Sequence, residues 1–309
     1  MKENERKILI IGGNGFIGKN LAKRLVKRSD LDIHSFDLTI PEEKTEGVHY
    51  IEGDFFDNYV LEETIEDMDL VIHSLSTVNP GNSNKKYMEG YSRDFLQTVN
   101  LCGMLIKQKI NMIFLSSGGT VYGVQEKQPI KETALPVPIN HYGSVKLCIE
   151  NVIRTFNTQL HTKMRIARIS NPYGPGQDYH KGVGFVDAAV KRTLRGECLE
   201  IWGDGENIRD YIYIDDVCGM LEALIDYEGD EEVFNLSSND GISQNRVVEI
   251  LKQLNSKLDV AYKEARSVDV RKIVLDNSKI RSIYPKKLRS FKEGITCYYE
   301  YLKSKGWEY

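Results

Sequence analysis

The chain has 309 residues, 28% of them charged and 41% hydrophobic, with a formal net charge of -4. That length buries an ample core, in one large α/β unit or in a core domain carrying a smaller lobe. Nothing in this mild acidity suggests electrostatic capture of nucleic acid. No apolar stretch reaches the roughly 20 residues a membrane helix needs, and the polar start of the chain leads to the expectation of no secretory signal. Cys102, Cys148, Cys198, Cys218 and Cys297 are scattered without a C-x-x-C pair. They read as reduced thiols of a cytoplasmic protein, not as a disulfide framework or a metal site.

Ile8 to Ile11 form a short apolar run rich in β-branched residues, the first expected strand. Gly12, Gly15 and Gly18 follow, and an amphipathic helical pattern runs from Lys19 to Lys27. A strand that turns sharply into a helix aims free backbone N–H groups and the positive end of the helix dipole at one point, which favours a phosphate or pyrophosphate. Gly12 permits the turn, Gly15 lets the ligand approach the backbone, and Gly18 lets the helix pack close. The spacing is G-x-x-G-x-x-G, and its place between strand and helix predicts a dinucleotide site.

A second strand, Leu31 to Phe36, ends at Asp37, about 20 residues beyond the last glycine. An acid there accepts from the adenosine ribose hydroxyls and repels a 2′-phosphate, so NAD is expected in preference to NADP. Val48 to Ile51 is a third strand and leads to Asp54, an acceptor for the adenine amino group or simply a helix cap. Leu70 to His73 and Ile113 to Leu115 are strands four and five. Five regular strand–helix alternations predict a Rossmann-type, doubly wound parallel sheet with right-handed crossovers. Lys85 to Lys107 and Tyr142 to Phe156 read as long helices, suited to a dimer interface or to ordinary burial.

Strand five runs into Ser116-Ser117-Gly118-Gly119-Thr120. Small and hydroxyl residues at the C-terminal end of a sheet strand sit where ligands bind in such folds. Tyr142 and Lys146 are four apart and share a helix face. A cation beside a phenol favours the phenolate and lowers its pKa, giving a tyrosine able to accept a proton near neutral pH.

Taken together, G12-G-N-G-F-I-G18, Asp37, Y142-G-S-V-K146, R168-I-S-N-P-Y-G-P-G176, R209-D-Y-I-Y-I-D-D-V217 and R266-S-V-D-V-R-K-I-V-L-D-N-S-K279 resemble the extended short-chain dehydrogenase/reductase family. Within it they are similar to the nucleotide-sugar epimerase/dehydratase branch, nearest in pattern to the UDP-glucose 4-epimerases. The resemblance covers essentially the whole chain. It implies that Tyr142 is the catalytic base and Lys146 its pKa tuner and a nicotinamide-ribose ligand. It places Gly12, Gly15, Phe16 and Ile17 at the NAD pyrophosphate, Asp37 at the ribose, Asp54 and Phe55 at the adenine, and Leu75 and Ser116 along the cofactor. Asn171, Arg209 and Arg266 are implied at the sugar-nucleotide diphosphate, and Asp269 at the nucleoside ribose. Arginine suits that task because its planar fork binds phosphate bidentately.

Three positions depart from the family pattern. Gly118 stands where a serine or threonine hydroxyl helps move the C4 proton, so Thr120, Ser117 or Tyr142 alone must serve, with Thr120 favoured. Asp94 replaces an asparagine facing the cofactor, and Ser267 replaces a proline. Dehydratases of the branch carry an Asp-Glu pair where this chain has Gly119 and Thr120, which argues for epimerisation over loss of water. Ile273 aligns with a position that gates N-acetyl groups and leans to non-acetylated sugars.

Residues 1–171 are read as the cofactor domain, with 210–236 returning to it, and 172–209 with 237–309 as the substrate lobe. Glu197 to Trp202, with the Gly203-Asp204-Gly205 turn, reads as a hairpin arm, its tryptophan either bordering a base or filling core. The expected activity is NAD-dependent C4 epimerisation of a UDP-hexose by a cytoplasmic homodimer without metal, nucleic-acid or membrane partners. The alternatives are a reductase, decarboxylase or dehydratase acting on a nucleotide sugar, or a catalytically silent NAD-binding module.

Overall fold

The computed structural model describes residues 5–178, 184–265 and 270–307. Among these residues thirteen strands follow one another: β1 (Arg6–Ile11), β2 (Leu31–Asp37), β3 (Val48–Glu52), β4 (Leu70–His73), β5 (Asn111–Ser117), β6 (Arg165–Ile169), β7 (Asn171–Tyr173), β8 (Leu199–Trp202), β9 (Ile208–Tyr213), β10 (Val233–Leu236), β11 (Gly241–Ser243), β12 (Val260–Lys263) and β13 (Lys272–Ile273). Seven of them form one parallel sheet in the order β10-β6-β5-β4-β1-β2-β3.

Burial on both faces explains the continuous apolar runs. Along β1, Ile8 and Ile10 face one core, with the helix Phe16–Leu25, while Leu9 and Ile11 face the other, with the helices Leu96–Gln108 and His141–Leu160. The order reverses between β1 and β4, so the crevice above their C-terminal ends is the place for a ligand. The glycine turn, Ser74 and Leu75 all lie there.

The expected alternation breaks once. No helix separates β2 from β3 among the described residues; a turn-rich loop joins them. The long helix expected over Lys85 to Lys107 is three segments, an α turn Tyr87–Glu89, a π turn Gly90–Phe95 and the α-helix Leu96–Gln108. π turns gather at functional sites, and this one carries Asp94. The helix expected over Tyr142 to Phe156 extends to His141–Leu160, capped by Asn140, whose side chain accepts from the Gly143 N–H at 2.8 Å.

A second, smaller sheet is built on β9, which pairs antiparallel with β11 and parallel with β13 and β7. The stretch 210–236 is therefore split: β9 lies in the small sheet, while the helix Ile214–Ile225 packs on the first helix and β10 extends the large sheet. The hairpin expected around Gly203 is absent. β8 pairs parallel with β12, far along the chain, and the chain leaves β8 through Gly203 and Gly205, at φ of 86° and 76°, for the other sheet. Trp202 is 39% exposed, which overturns the core alternative. Among the described residues no helix is long and apolar enough to cross a membrane.

Candidate active site

The glycine turn is hung on the second strand: the N–H groups of Gly12 and Gly13 both donate to the Phe36 carbonyl, at 2.9 and 3.2 Å. Gly12 has φ of 78°, and a β-carbon there would stand 2.8 Å from the Leu75 nitrogen. A β-carbon on Gly18 would collide with the Gly12 carbonyl, so the helix packs on the turn only because it is absent. Gly15 is the N-cap residue; a β-carbon there would meet only the Gly12 carbonyl, at 3.0 Å, leaving its outer side open to a ligand. No side chain caps this helix and no acid lies in its first turn. The leading N–H groups, at Phe16 and Ile17, keep their dipole for an incoming anion. This cradle fits a dinucleotide pyrophosphate. Gly13, which the spacing did not single out, is equally constrained, since its β-carbon would overlap Ser35 Oγ.

Asp37 ends β2 beside the turn and accepts from the Asn14 N–H at 2.9 Å and the Leu38 N–H at 2.8 Å. A carboxylate has further lone pairs to offer a ribose. Asp54 is exposed and accepts from the Phe56 N–H at 3.0 Å. Phe55 does not open to an adenine: its ring is 2% exposed and lies 5.1 Å from the His73 ring inside the core. Ser116 also turns inward, donating to Glu150 Oε1 at 2.5 Å.

Tyr142 and Lys146 share a helix face, with Nζ of Lys146 5.7 Å from the centre of the Tyr142 ring. The ammonium donates to the Leu115 carbonyl at 3.0 Å and lies 4.6 Å over Phe114, which fixes it at the end of β5. The expected lowering of the phenol is reversed in the protein alone. Burial, and then the Asp94 carboxylate, push Tyr142 up to about 12. Burial pulls Lys146 down to about 8, with Asp94 and Glu150 opposing. His73 falls to about 3, by burial and then by the Lys146 charge, so it is neutral.

At the strand end, Gly118 opens a short helical turn, Gly118–Val121. The place of a side chain there is filled by Leu275 and closed from behind by the Arg168 carbonyl, 3.1 Å from the β-carbon position. Thr120 Oγ1 is buried without a hydrogen-bond partner among the described residues. Ser117 makes no cap to that turn. Asn171 donates to the Asp210 carbonyl at 3.0 Å and, with Arg209, Tyr211 and Gln244, lines a cavity of about 200 Å³. Arg209 also donates to the Ile208 carbonyl at 2.9 Å. Ile273 is buried with Val121, Tyr122 and Leu275. Arg266, Ser267 and Asp269 lie outside the described residues.

A parallel sheet in this order, a glycine cradle at its switch point and a Tyr/Lys helix beside it define a Rossmann-type, dinucleotide-dependent enzyme. The model of the NAD dependent epimerase/dehydratase family matches residues 8–237, and the chain belongs to that family. It is similar over 308 residues, at 28% identity, to a Methanocaldococcus jannaschii protein provisionally named a UDP-glucose 4-epimerase, covering 96% of this chain and 98% of that one. It is 30% identical over 292 residues to the dTDP-4-dehydro-6-deoxyglucose reductase of Escherichia coli, covering 89% and 90%. Among solved structures, the UDP-glucose 4-epimerase of Thermotoga maritima with UDP-glucose superposes with a TM-score of 0.90 at 29% identity, covering 97% of this chain and 99% of that one.

Proposed function

We propose that the protein interconverts a UDP-hexose and its C4 epimer, of the UDP-glucose/UDP-galactose type, through a transient 4-keto sugar. The observation that carries this is the Tyr142–Lys146 pair, 5.7 Å apart from ring centre to ammonium, at the end of β5, where a β-carbon on Gly119 would stand 3.5 Å from Oδ1 of Asn171, which with Arg209 lines the cavity. NAD, when bound, supplies the acceptor for the C4 hydride and places the positive charge of its oxidised ring near the phenol. Tyr142 takes the proton of the C4 hydroxyl. Lys146 holds the nicotinamide ribose and orients the phenol. Thr120, whose buried hydroxyl has no partner among the described residues, carries the proton in place of the side chain missing at Gly118. Asn171 and Arg209, with Arg266 and Asp269, tether the UDP while the flat ketone swings and is reduced from its other face. The seven-stranded sheet and its helices serve the cofactor, and the smaller sheet built on β9 serves the sugar nucleotide.

The absence of carboxylates at Gly119 and Thr120 speaks against dehydration, which needs an acid and a base there. A second reading, net reduction of a nucleotide-sugar ketone, is favoured by the 30% identity to a reductase. The test separates them. Purified protein with UDP-glucose or UDP-galactose should interconvert the pair with no net change in cofactor absorbance. A reductase consumes NADH stoichiometrically. Tyr142→Phe should lower turnover by about 10²–10⁴-fold, the usual weight of a general base; unchanged behaviour would point to a silent NAD-binding module. We further propose a cytoplasmic homodimer, its interface on the helices that carry the exposed Tyr87, Met88 and Leu96, to be checked by sedimentation.

A further inference from the structure

Asp94 is 4% exposed and sits on the π turn Gly90–Phe95. Its carboxylate is held entirely by neutral donors: Ser76 Oγ at 2.8 Å, the Thr77 N–H at 2.9 Å and Thr77 Oγ1 at 2.6 Å. Among the described residues it has no ion-pair partner. The nearby Arg93 stacks instead on Phe56, at 4.0 Å. Residues 76 and 77 continue directly from Ser74 and Leu75, which lie against Gly12: Ser74 Oγ donates to the Ile11 and Gly12 carbonyls at 2.8 and 3.1 Å. Asp94 thus clamps the strand-four loop that covers the glycine turn. Its π turn packs on the helix that carries Tyr142 and Lys146: a β-carbon on Gly90 would stand 3.1 Å from the Val145 side chain, and the Tyr91 hydroxyl lies 3.2 Å from His141 Nδ1, so the Asp94 charge acts on both residues. Lys146 is a cation on which its charge acts, and that ammonium is shared with Glu150 and lowered by burial. His73, behind it, is neutral.

A buried carboxylate held only by neutral dipoles favours a cation in the space it faces. The oxidised nicotinamide ring is a cation and the reduced ring is neutral. We propose that Asp94 biases the bound cofactor toward its oxidised form, acting as a positioning residue for charge in the nicotinamide pocket. This rests on the reading that the nicotinamide lies at Tyr142 and Lys146. An enzyme that must return its cofactor oxidised after each turnover gains from that bias, because less of it waits in the reduced state.

The test is the ratio of dissociation constants for NADH and NAD⁺, measured by titration calorimetry on cofactor-stripped protein. Asp94→Asn should shift that ratio in favour of NADH by about tenfold, equivalent to about 30 mV for a two-electron couple. Asp94→Ser, smaller and also neutral, should move it the same way. Thr77→Val keeps the charge and removes one hydrogen bond, and should leave the ratio within about twofold. Lys146→Met should weaken both cofactor forms. If it weakens neither, the nicotinamide is not at Lys146 and the reading of the site falls. If it weakens both while the folded Asp94 variants leave the ratio unmoved, or weaken both forms equally, the inference about Asp94 is overturned.

Discussion

The side chain of Leu275 occupies the volume that a β-carbon on Gly118 would need. Leu275 is fully buried and is seated by the neighbouring backbone, where the Ile130 N–H donates to the Val274 carbonyl at 2.8 Å and the Asp276 N–H to the Ile130 carbonyl at 2.8 Å. The missing hydroxyl and the leucine are therefore one packing solution, reached from two distant parts of the chain. Gly118→Ser alone should overpack the site and cost about 1–3 kcal/mol. Leu275→Ala alone should cost about 2–5 kcal/mol, and Gly118→Ser with Leu275→Ala should cost clearly less than the two single losses added. If the 118 hydroxyl can do proton transfer here, the double variant should also turn over faster than Leu275→Ala by itself. Urea midpoints and epimerisation rates of the three variants check both statements.

Lys146 gives the site a pH signature. Its pKa is about 8 in the folded protein against an ordinary 10.5. Below pH 8 the folded state bears the whole penalty of a buried ammonium. Between the two values the unfolded chain holds a proton that the folded chain has shed, so this residue's contribution to stability rises with pH. Lys146→Met removes that dependence. Cofactor-free Lys146→Met should be more stable than the natural protein at pH 7, by on the order of 3 kcal/mol before the lost bond to the Leu115 carbonyl is subtracted. The gap should close toward pH 10.5. Denaturant titrations of both proteins at pH 7 and 10 measure it; a gap constant with pH would show that the ammonium is not desolvated as the structure has it.

These two cases mark how far the sequence could be read. The strand–glycine–helix turn, the place of Asp37 at the end of β2 and the shared helix face of Tyr142 and Lys146 were legible because each is a local spacing with one mechanical consequence. The parallel sheet followed from the alternation of strands and helices. What escaped was nonlocal. The partner of β8 is β12, contributed by a remote segment, so a nearby glycine turn suggested a hairpin that does not form. Proximity of Lys146 to Tyr142 was legible, but the burial that outweighs it depends on the whole core and on Asp94. Phe55 and Ser116 belong to matching motifs, yet their side chains were claimed by His73 and Glu150 rather than by the cleft.

Gly13 was hidden for a similar reason. Its constraint comes from Ser35 on the neighbouring strand, whose Oγ is buried without a partner among the described residues and points at the glycine. Gly13→Ala should push the turn away from β2 and weaken NAD binding by about tenfold, the equivalent of about 1.4 kcal/mol. Gly13→Ala with Ser35→Gly should restore most of the affinity. If the single variant binds NAD as the natural protein does, the turn is softer than its geometry suggests and the cradle is not set by this contact.

Glu150 and Arg168 form the most deeply buried ion pair of the site, each with a fully buried side chain, at 2.5 Å from Oε2 to the guanidinium. The pair ties the helix that carries Tyr142 and Lys146 to β6, and Glu150 also receives Ser116 from β5. The Arg168 guanidinium lies 4.7 Å over the Tyr122 ring, which holds its other face. Two charges taken out of water are compensated only while both are present. Removing one partner costs about 3–5 kcal/mol, whereas replacing both with apolar groups of similar volume is often neutral. Glu150→Gln should therefore destabilise the protein strongly, and Glu150→Leu with Arg168→Met should not. The double variant also strips Lys146 of one of the two carboxylates that hold its proton, so Lys146 should deprotonate at lower pH than in the natural protein. Activity should then fall off on the alkaline side at a lower pH even where stability has been recovered. Stability from thermal melts and a pH–rate profile of the double variant, taken together, separate the scaffolding role of the pair from its electrostatic one. Recovery of stability with an unshifted alkaline limb would mean that Glu150 holds the helix in place and leaves the Lys146 proton to Asp94.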